Sequence, residues 1–275
     1  MRKKTSISTI FIFIGMSIMT ITFLYPLIYM IINAMKTKQE YYKNSFSLPS
    51  SFNLTNFKLI ITDFNILVYF KSSLIVAGVS TLLIVVFGVF SSYAFAKIKF
   101  KYKTGIYLGI LTTMFLPAQV SMIPAYVMFS KLGLIDNYWS VILSYLAGGL
   151  PGAILLLYSS FRGISDEMLE SAKIDGSGYF STVKNMVLPL ALAPISIVII
   201  FNFIGYWNDL LTPMLYLTSQ TKQTVMVALV ALVQRGSSLP TYQLAGLLVS
   251  VTPAILLYLF LQKYFVSGIT AGGIK

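Results

Sequence analysis

Long apolar stretches alternate with short charged connections along all 275 residues of this chain. Six stretches carry no Asp, Glu, Lys or Arg: 5–35, 72–96, 104–130, 137–161, 185–208 and 236–262. Each exceeds the roughly 20 residues that an α-helix needs to cross the hydrocarbon of a bilayer. None alternates apolar and polar positions as the strands of a membrane barrel do. The pattern predicts an all-α polytopic membrane protein with six transmembrane helices. A further apolar run, 223–234, is too short to cross. It is expected at the outer surface or beneath a loop.

Proline and glycine interrupt several of these stretches. Pro117 and Pro124 fall in the third, Gly148, Gly149, Pro151 and Gly152 in the fourth, Pro189 and Pro194 at the start of the fifth, and Pro253 in the sixth. Proline removes a backbone donor and bends a helix, which is tolerated where the freed groups face protein or a cavity. Two readings stand. The breaks line a pathway, or they serve ordinary packing of membrane helices, where Gly and Pro are common. The connection after the first helix is rich in Ser, Asn and Tyr, and residues 49–55 in it read as turn and irregular structure.

Composition and charge narrow the class. The chain is 57% hydrophobic and only 10% charged, and no soluble domain, linker or internal repeat is visible. Cys and His are absent, which excludes disulfides, thiol and imidazole chemistry and the common zinc sites. With no polar cluster inside the apolar stretches, an intramembrane enzyme is disfavoured. The net charge of +12 is unevenly placed. Arg2, Lys3 and Lys4 precede the first stretch, and Lys97, Lys99, Lys101 and Lys103 crowd the second connection. This positive-inside pattern puts the N-terminus in the cytoplasm, and six crossings return the C-terminus there. The lysines of the first outer loop count less because that loop is long. The Lys/aromatic run 97–103 reads as contact with anionic headgroups rather than nucleic acid. The first stretch is longer than a signal-peptide core and has no clear small-x-small site, so it reads as a retained helix.

The apolar stretches hold almost no ionisable group, and Asp209 lies only at the end of the fifth. Ion-coupled carriers ordinarily hold charges at mid-membrane. Energy is therefore expected from a partner. A place for that partner lies between the fourth and fifth stretches. There Glu170-Ser171-Ala172-Lys173-Ile174-Asp175-Gly176 is followed by Tyr179, Phe180, Val183, Met186 and Val187 at the spacing of an apolar helical stripe, then Leu188-Pro189. Asp-Gly is a turn signal, since glycine takes the positive φ that ends a helix. The gap predicts helix, turn, helix at the membrane surface, with one face suited to a protein groove.

That segment resembles the EAA loop of ABC-importer permeases: Glu-Ala-Ala, three residues, Gly, nine residues, Ile, one residue, Leu-Pro. Glu170, Ala172, Gly176 and Leu188-Pro189 match at that spacing, while Ser171 replaces an Ala and Met186 the Ile. The resemblance covers most of the chain. Leu116-Pro117-Ala118-Gln119 through Ile123-Pro124, Leu132-Gly133-Leu134-Ile135-Asp136, Trp207-Asn208-Asp209 with Pro213, and the tail from Gly268 to Lys275 look like carbohydrate permeases of the maltose-transporter type, in particular the smaller, six-span subunit.

The resemblance implies an ABC type I importer permease fold with a cytoplasmic EAA coupling-helix loop at 162–189. It divides the chain into a first helix and outer loop (1–71), a five-helix permease core (72–265) and a cytoplasmic tail (266–275). It implies a bacterial cytoplasmic-membrane subunit paired with a second permease, two copies of a cytoplasmic ABC ATPase and an extracytoplasmic sugar-binding protein. The cargo is expected to be a di- or oligosaccharide. The chain is expected not to be an enzyme and to bind no cofactor, ATP and Mg belonging to the partner ATPase. By the same resemblance Glu170 pairs with a basic residue of the ATPase and Gly176 permits the turn. Met168, Leu169, Ala172, Tyr179 and Phe180 are expected to fill the ATPase groove, and Asp175 to shape the turn. On the binding-protein side, Trp207, Asn208 and Asp209 read either as an interfacial anchor beside a polar helix end or as pathway lining or contact with the second permease. Arg235 and Tyr242 flank the tip of an outer loop over 212–241, where Tyr242 is suited to stacking on a sugar ring. Two other readings compete: a permease for glycerol phosphate esters, which shares this pattern, and a stand-alone secondary carrier.

Overall fold

The computed structural model describes residues 7–234 and 239–272. Helices are the only regular elements among the described residues. In order they are α1 (Ile7–Ala34), α2 (Lys38–Lys43), α3 (Thr55–Thr62), α4 (Ile66–Lys97), α5 (Lys103–Thr112), α6 (Ala118–Lys131), α7 (Tyr138–Arg162), α8 (Asp166–Ile174), α9 (Tyr179–Thr182), α10 (Leu188–Leu190), α11 (Leu192–Trp207), α12 (Leu211–Tyr216), α13 (Val225–Gln234) and α14 (Pro240–Gly272).

Among the described residues, four helices are continuous and apolar enough to cross a membrane: Ser8–Ala34, Ile66–Lys97, Tyr138–Arg162 and Pro240–Tyr264. The third and fifth apolar stretches are bent pairs instead. Lys103–Phe115 meets Ala118–Lys131 at 100°, and Tyr179–Leu190 meets Leu192–Trp207 at 83°. Counting each pair as one span gives six. Proline explains both bends. Leu116, ahead of Pro117, is held extended at φ −82°, ψ 120°, because the proline ring excludes the helical conformation of its predecessor. Before Pro189 the backbone opens into a π-helical turn over Val183–Val187, where the proline ring would otherwise meet the carbonyl four residues back. The chain then breaks at Ala191, ahead of Pro194.

The chain divides into two compact units. The first comprises Met1–Leu67 and Leu229–Val251. Here the long connection is less irregular than its composition suggests, since α2 and α3 form within it. Thr37 and Glu40 make a reciprocal capping box at the start of α2. The buried Lys36 donates to the carbonyls of Asn44 (3.0 Å) and Ser45 (3.1 Å). Asn56 donates to those of Ala34 (2.8 Å) and Lys36 (2.9 Å), satisfying acceptors that the end of α1 leaves open. Residues 48–54 are irregular, as composition predicts.

The second unit comprises Val68–Ala228 and Thr252–Lys275. Its main core joins Ile84, Val89 and Tyr93 of α4 to Ala153, Leu157 and Phe161 of α7 and to Leu169, Val183, Val187, Ala191, Ile195 and Val198 of the segments after it. A second cluster gathers Val76, Phe129, Val141, Tyr145, Tyr216 and Leu217. Within residues 212–241, expected as an outer loop, the described part is largely helical: α12, a 3-10 turn over Gln220–Lys222, and α13. In α13 the side chains of Val225, Val227, Ala228, Leu229 and Leu232 are buried, so the short apolar run is a packed helix.

Candidate coupling site

The coupling segment begins where α7 ends. Ser165 Oγ accepts from the Met168 N–H at 3.4 Å, and Asp166 and Glu167 occupy the first turn of α8, where carboxylates suit the positive end of the helix dipole. At its far end α8 stops in a Schellman turn. The Ser177 N–H donates to the Ala172 carbonyl at 2.9 Å, and Gly176 takes φ +81°. The Asp-Gly turn expected from sequence is thus present. Asp175 is exposed, and its N–H donates to the Ser171 carbonyl at 3.0 Å.

The helix is two-faced. Leu169 and Ala172, three residues apart, are buried in the chain itself, Leu169 within the main core. Full burial of such a leucine contributes roughly 2 kcal/mol. Tyr179 also turns inward: its hydroxyl donates to the Phe90 carbonyl of α4 at 2.7 Å, and its ring packs 5.3 Å from that of Tyr93. Of the five expected groove-filling residues, then, the fold spends Leu169, Ala172 and Tyr179 on its own packing. Met168 (41% exposed) and Phe180 (71%) point outward, joined by Ile174 at 86%. Ile174 was not singled out from sequence. Its signal was its position four residues after Glu170, which places both on one helical face. Glu170 is exposed, and its carboxylate has no hydrogen-bond or ion-pair partner among the described residues. The outward surface carries the Glu170 carboxylate beside exposed apolar side chains, of which Phe180 also packs edge-on to Phe90 at 5.3 Å.

Lys97, the last residue of α4, does not lie in a headgroup-facing run. Its side chain is 9% exposed, and its ammonium lies 2.7 Å from Asp166 Oδ1. It also donates to the carbonyls of Ile164 (2.5 Å) and Arg162 (3.4 Å). Burial of this lysine was invisible in a cluster of four that sequence treats alike.

The residues expected on the other side of the membrane separate. Trp207 is 1% exposed, packed with Ala77 and Phe203 and edge-on to Phe70 at 5.5 Å, so it is a core residue rather than an interfacial anchor. Asn208 is exposed and bonds back to the Ile204 carbonyl at 2.9 Å. Asp209 accepts from the Tyr145 hydroxyl at 2.9 Å and the Leu211 N–H at 3.0 Å. Tyr145 stacks on Tyr206 at 4.0 Å, and the Tyr206 hydroxyl donates to Asn202 Oδ1 at 2.9 Å. A Cβ on Gly149 would fall 2.1 Å from that hydroxyl, so the glycine is what permits this approach. Beside it, Met114, Gly148, Gly152, Phe201 and Asn202 line a cavity of about 250 Å³. Tyr242 is half-buried and donates to the Leu59 carbonyl at 3.4 Å. Arg235 lies outside the described residues.

The sequence profile of the family described as "binding-protein-dependent transport system inner membrane component" matches residues 84–271, a span that contains the whole coupling segment. The chain belongs to this family. Its members are transport permease subunits, and this one is membrane-embedded. Among relatives, the "Probable ABC transporter permease protein YurM" of Bacillus subtilis (strain 168) is 31% identical over 100% of this chain and 91% of the relative. The arabinooligosaccharides transport system permease protein AraQ of Halalkalibacterium halodurans is 28% identical over 100% of both. A crystal structure of a bacterial ABC transporter that imports the acidic polysaccharide alginate contains a chain that superposes with TM-score 0.80. That chain is 22% identical, and the match covers 96% of this chain and 99% of that one. The likeness establishes the ABC-importer permease fold.

Proposed function

We propose that this permease is the transmembrane subunit of an ATP-driven importer that takes up an oligosaccharide delivered by an extracytoplasmic binding protein. The observation that carries the reading is the two-faced helix α8: one side is built into the main core, and the other presents Glu170, Met168 and Ile174 to a partner, beside Phe180 of α9. The end-to-end similarity to a permease whose name specifies arabinooligosaccharides supports the sugar class. In this reading a second permease completes the channel and two copies of a cytoplasmic ATPase dock against α8, Glu170 meeting a basic residue of the ATPase. ATP and Mg bind to that partner and not to this chain. Lys99, Lys101 and Lys103 remain at the surface or near it and keep both termini on the ATPase side. ATP-driven closure of the ATPases moves α8 as a rigid element and switches the permease pair between inward- and outward-facing states.

The test is reconstitution of the complex co-purified from the native membrane into proteoliposomes, with a labelled arabinooligosaccharide mixture as probe. Uptake that requires both ATP and the binding protein, and that falls at least about tenfold in Glu170→Ala while the variant stays membrane-inserted, is the expected result. A chain recovered without an ATPase, yet still moving the probe, would replace this reading with a self-contained carrier.

A further inference from the structure

Helix α4 is tied at both ends to segments distant in sequence. Near its start, Ser73 Oγ accepts from the Val225 N–H at 2.8 Å and Ser72 Oγ contacts the Tyr138 hydroxyl at 2.8 Å. At its end Lys97 reaches the turn between α7 and α8. Both ties lie on one unbroken helix of 32 residues, about 48 Å long at 1.5 Å per residue.

The Lys97 contacts have a definite chemistry. The last carbonyls of a helix have no partner within it and carry its partial negative charge. The ammonium has three donors, and three acceptors stand around it: the Arg162 carbonyl at the end of α7, the Ile164 carbonyl in the turn, and Asp166 at the first position of α8. One cation therefore joins the end of one helix, the start of the next, and the end of a third. Asp166 is 79% exposed, so the carboxylate is the most screened of the three contacts. The Ile164 carbonyl, at 2.5 Å, is the closest of the three contacts.

We propose that Lys97 is a positioning residue that locks the coupling helix α8 to α4, so that a displacement of α8 is passed to α4 and along it to the segment around Val225. The functional meaning rests on the coupling role assigned above, whereas the lock itself does not. A merely stabilising lysine would lower the unfolding temperature when removed and leave the position of α8 unchanged in the folded protein.

The experiment measures that position. The chain contains no cysteine, so Lys99→Cys and Glu167→Cys place spin labels on exposed sites two residues past α4 and on α8, in the complete complex with cysteine-free partners. With Lys97 intact, one narrow distance distribution is expected, the same with and without ATP. Lys97→Met is expected to broaden it about twofold and to make it ATP-dependent, as α8 then moves alone. Lys97→Arg, which retains the charge and several donors, is expected to restore much of the narrow form. If Lys97→Met does not accumulate in the membrane, Lys97→Gln is read in the same way. A wild-type distribution in the neutral variant overturns the proposal. The comparison of widths without ATP stays readable even if no ATPase assembles, so it is decided separately from the importer reading.

Discussion

The two ends of α4 solve one problem with opposite charges. At the Lys97 end a cation collects carbonyls where α7 stops. At the other end Asp136, in the turn between α6 and α7, collects donors: the N–H groups of Thr218 (3.1 Å) and Ser219 (2.8 Å), the Ser219 hydroxyl, and the Lys222 ammonium at 2.9 Å. Asp136 takes φ +58°, a conformation that aspartate tolerates better than most residues. Those donors hold its carboxyl well below the ordinary carboxylate range, Ser219 first and Lys222 after it. In each case the ion binds backbone groups as well as a counter-ion. The difference lies in what is held. The Asp136 end fixes two loops against each other, whereas the Lys97 end fixes the start of α8, the helix proposed above to meet a partner.

Removing the ions one at a time breaks the comparison in order of expected effect. Lys97→Met removes the ammonium donor from two carbonyls and is expected to cost about 2 kcal/mol, read as a lower unfolding midpoint of the solubilised complex. Asp136→Ala strands four donors, but in a better-solvated site, and is expected to cost about 1.5 kcal/mol by the same measurement. The aspartate also sets a pH dependence. Its folded pKa lies below its unfolded value, so its contribution is complete at neutral pH and is lost as pH falls below the ordinary carboxylate range. Asp136→Asn should flatten that acid limb of the midpoint-versus-pH curve. Gly176→Ala forces a Cβ into φ +81° and is expected to cost about 1 kcal/mol. Asp166→Asn removes only the exposed partner of Lys97 and is expected to cost under about 0.5 kcal/mol. A larger loss for Asp166→Asn than for Lys97→Met would mean that the ion pair, not the carbonyls, carries the contact.

Much of this was legible in the residue pattern, because membrane helices are specified by apolar length and little else. The helix-turn-helix of the coupling segment was legible too, since Asp175-Gly176 and the apolar stripe after it encode a stop and a new start. What escaped was facing. Leu169, Ala172 and Tyr179 lie beside Met168 and Phe180 in sequence, and only the packing of α4 and α7 decides which side is core. The same holds for Trp207, a typical interfacial residue that this fold buries between Phe70 and Phe203. The helix α2 was overlooked although Thr37 and Glu40 carry the spacing of a capping box. The bends at Leu116 and Ala191 were marked by prolines, whose number announces a break without giving its angle.

The central claim is that α8 meets an ATP-hydrolysing partner with one face and its own chain with the other. Single cysteines at Ile174 and at Ala172 in this cysteine-free chain, treated with a short bifunctional crosslinker in native membranes, test it directly. The account predicts an adduct between the Ile174→Cys chain and a cytoplasmic ATPase, and none from Ala172→Cys. No adduct at 174, or equal adducts at both positions, would contradict it.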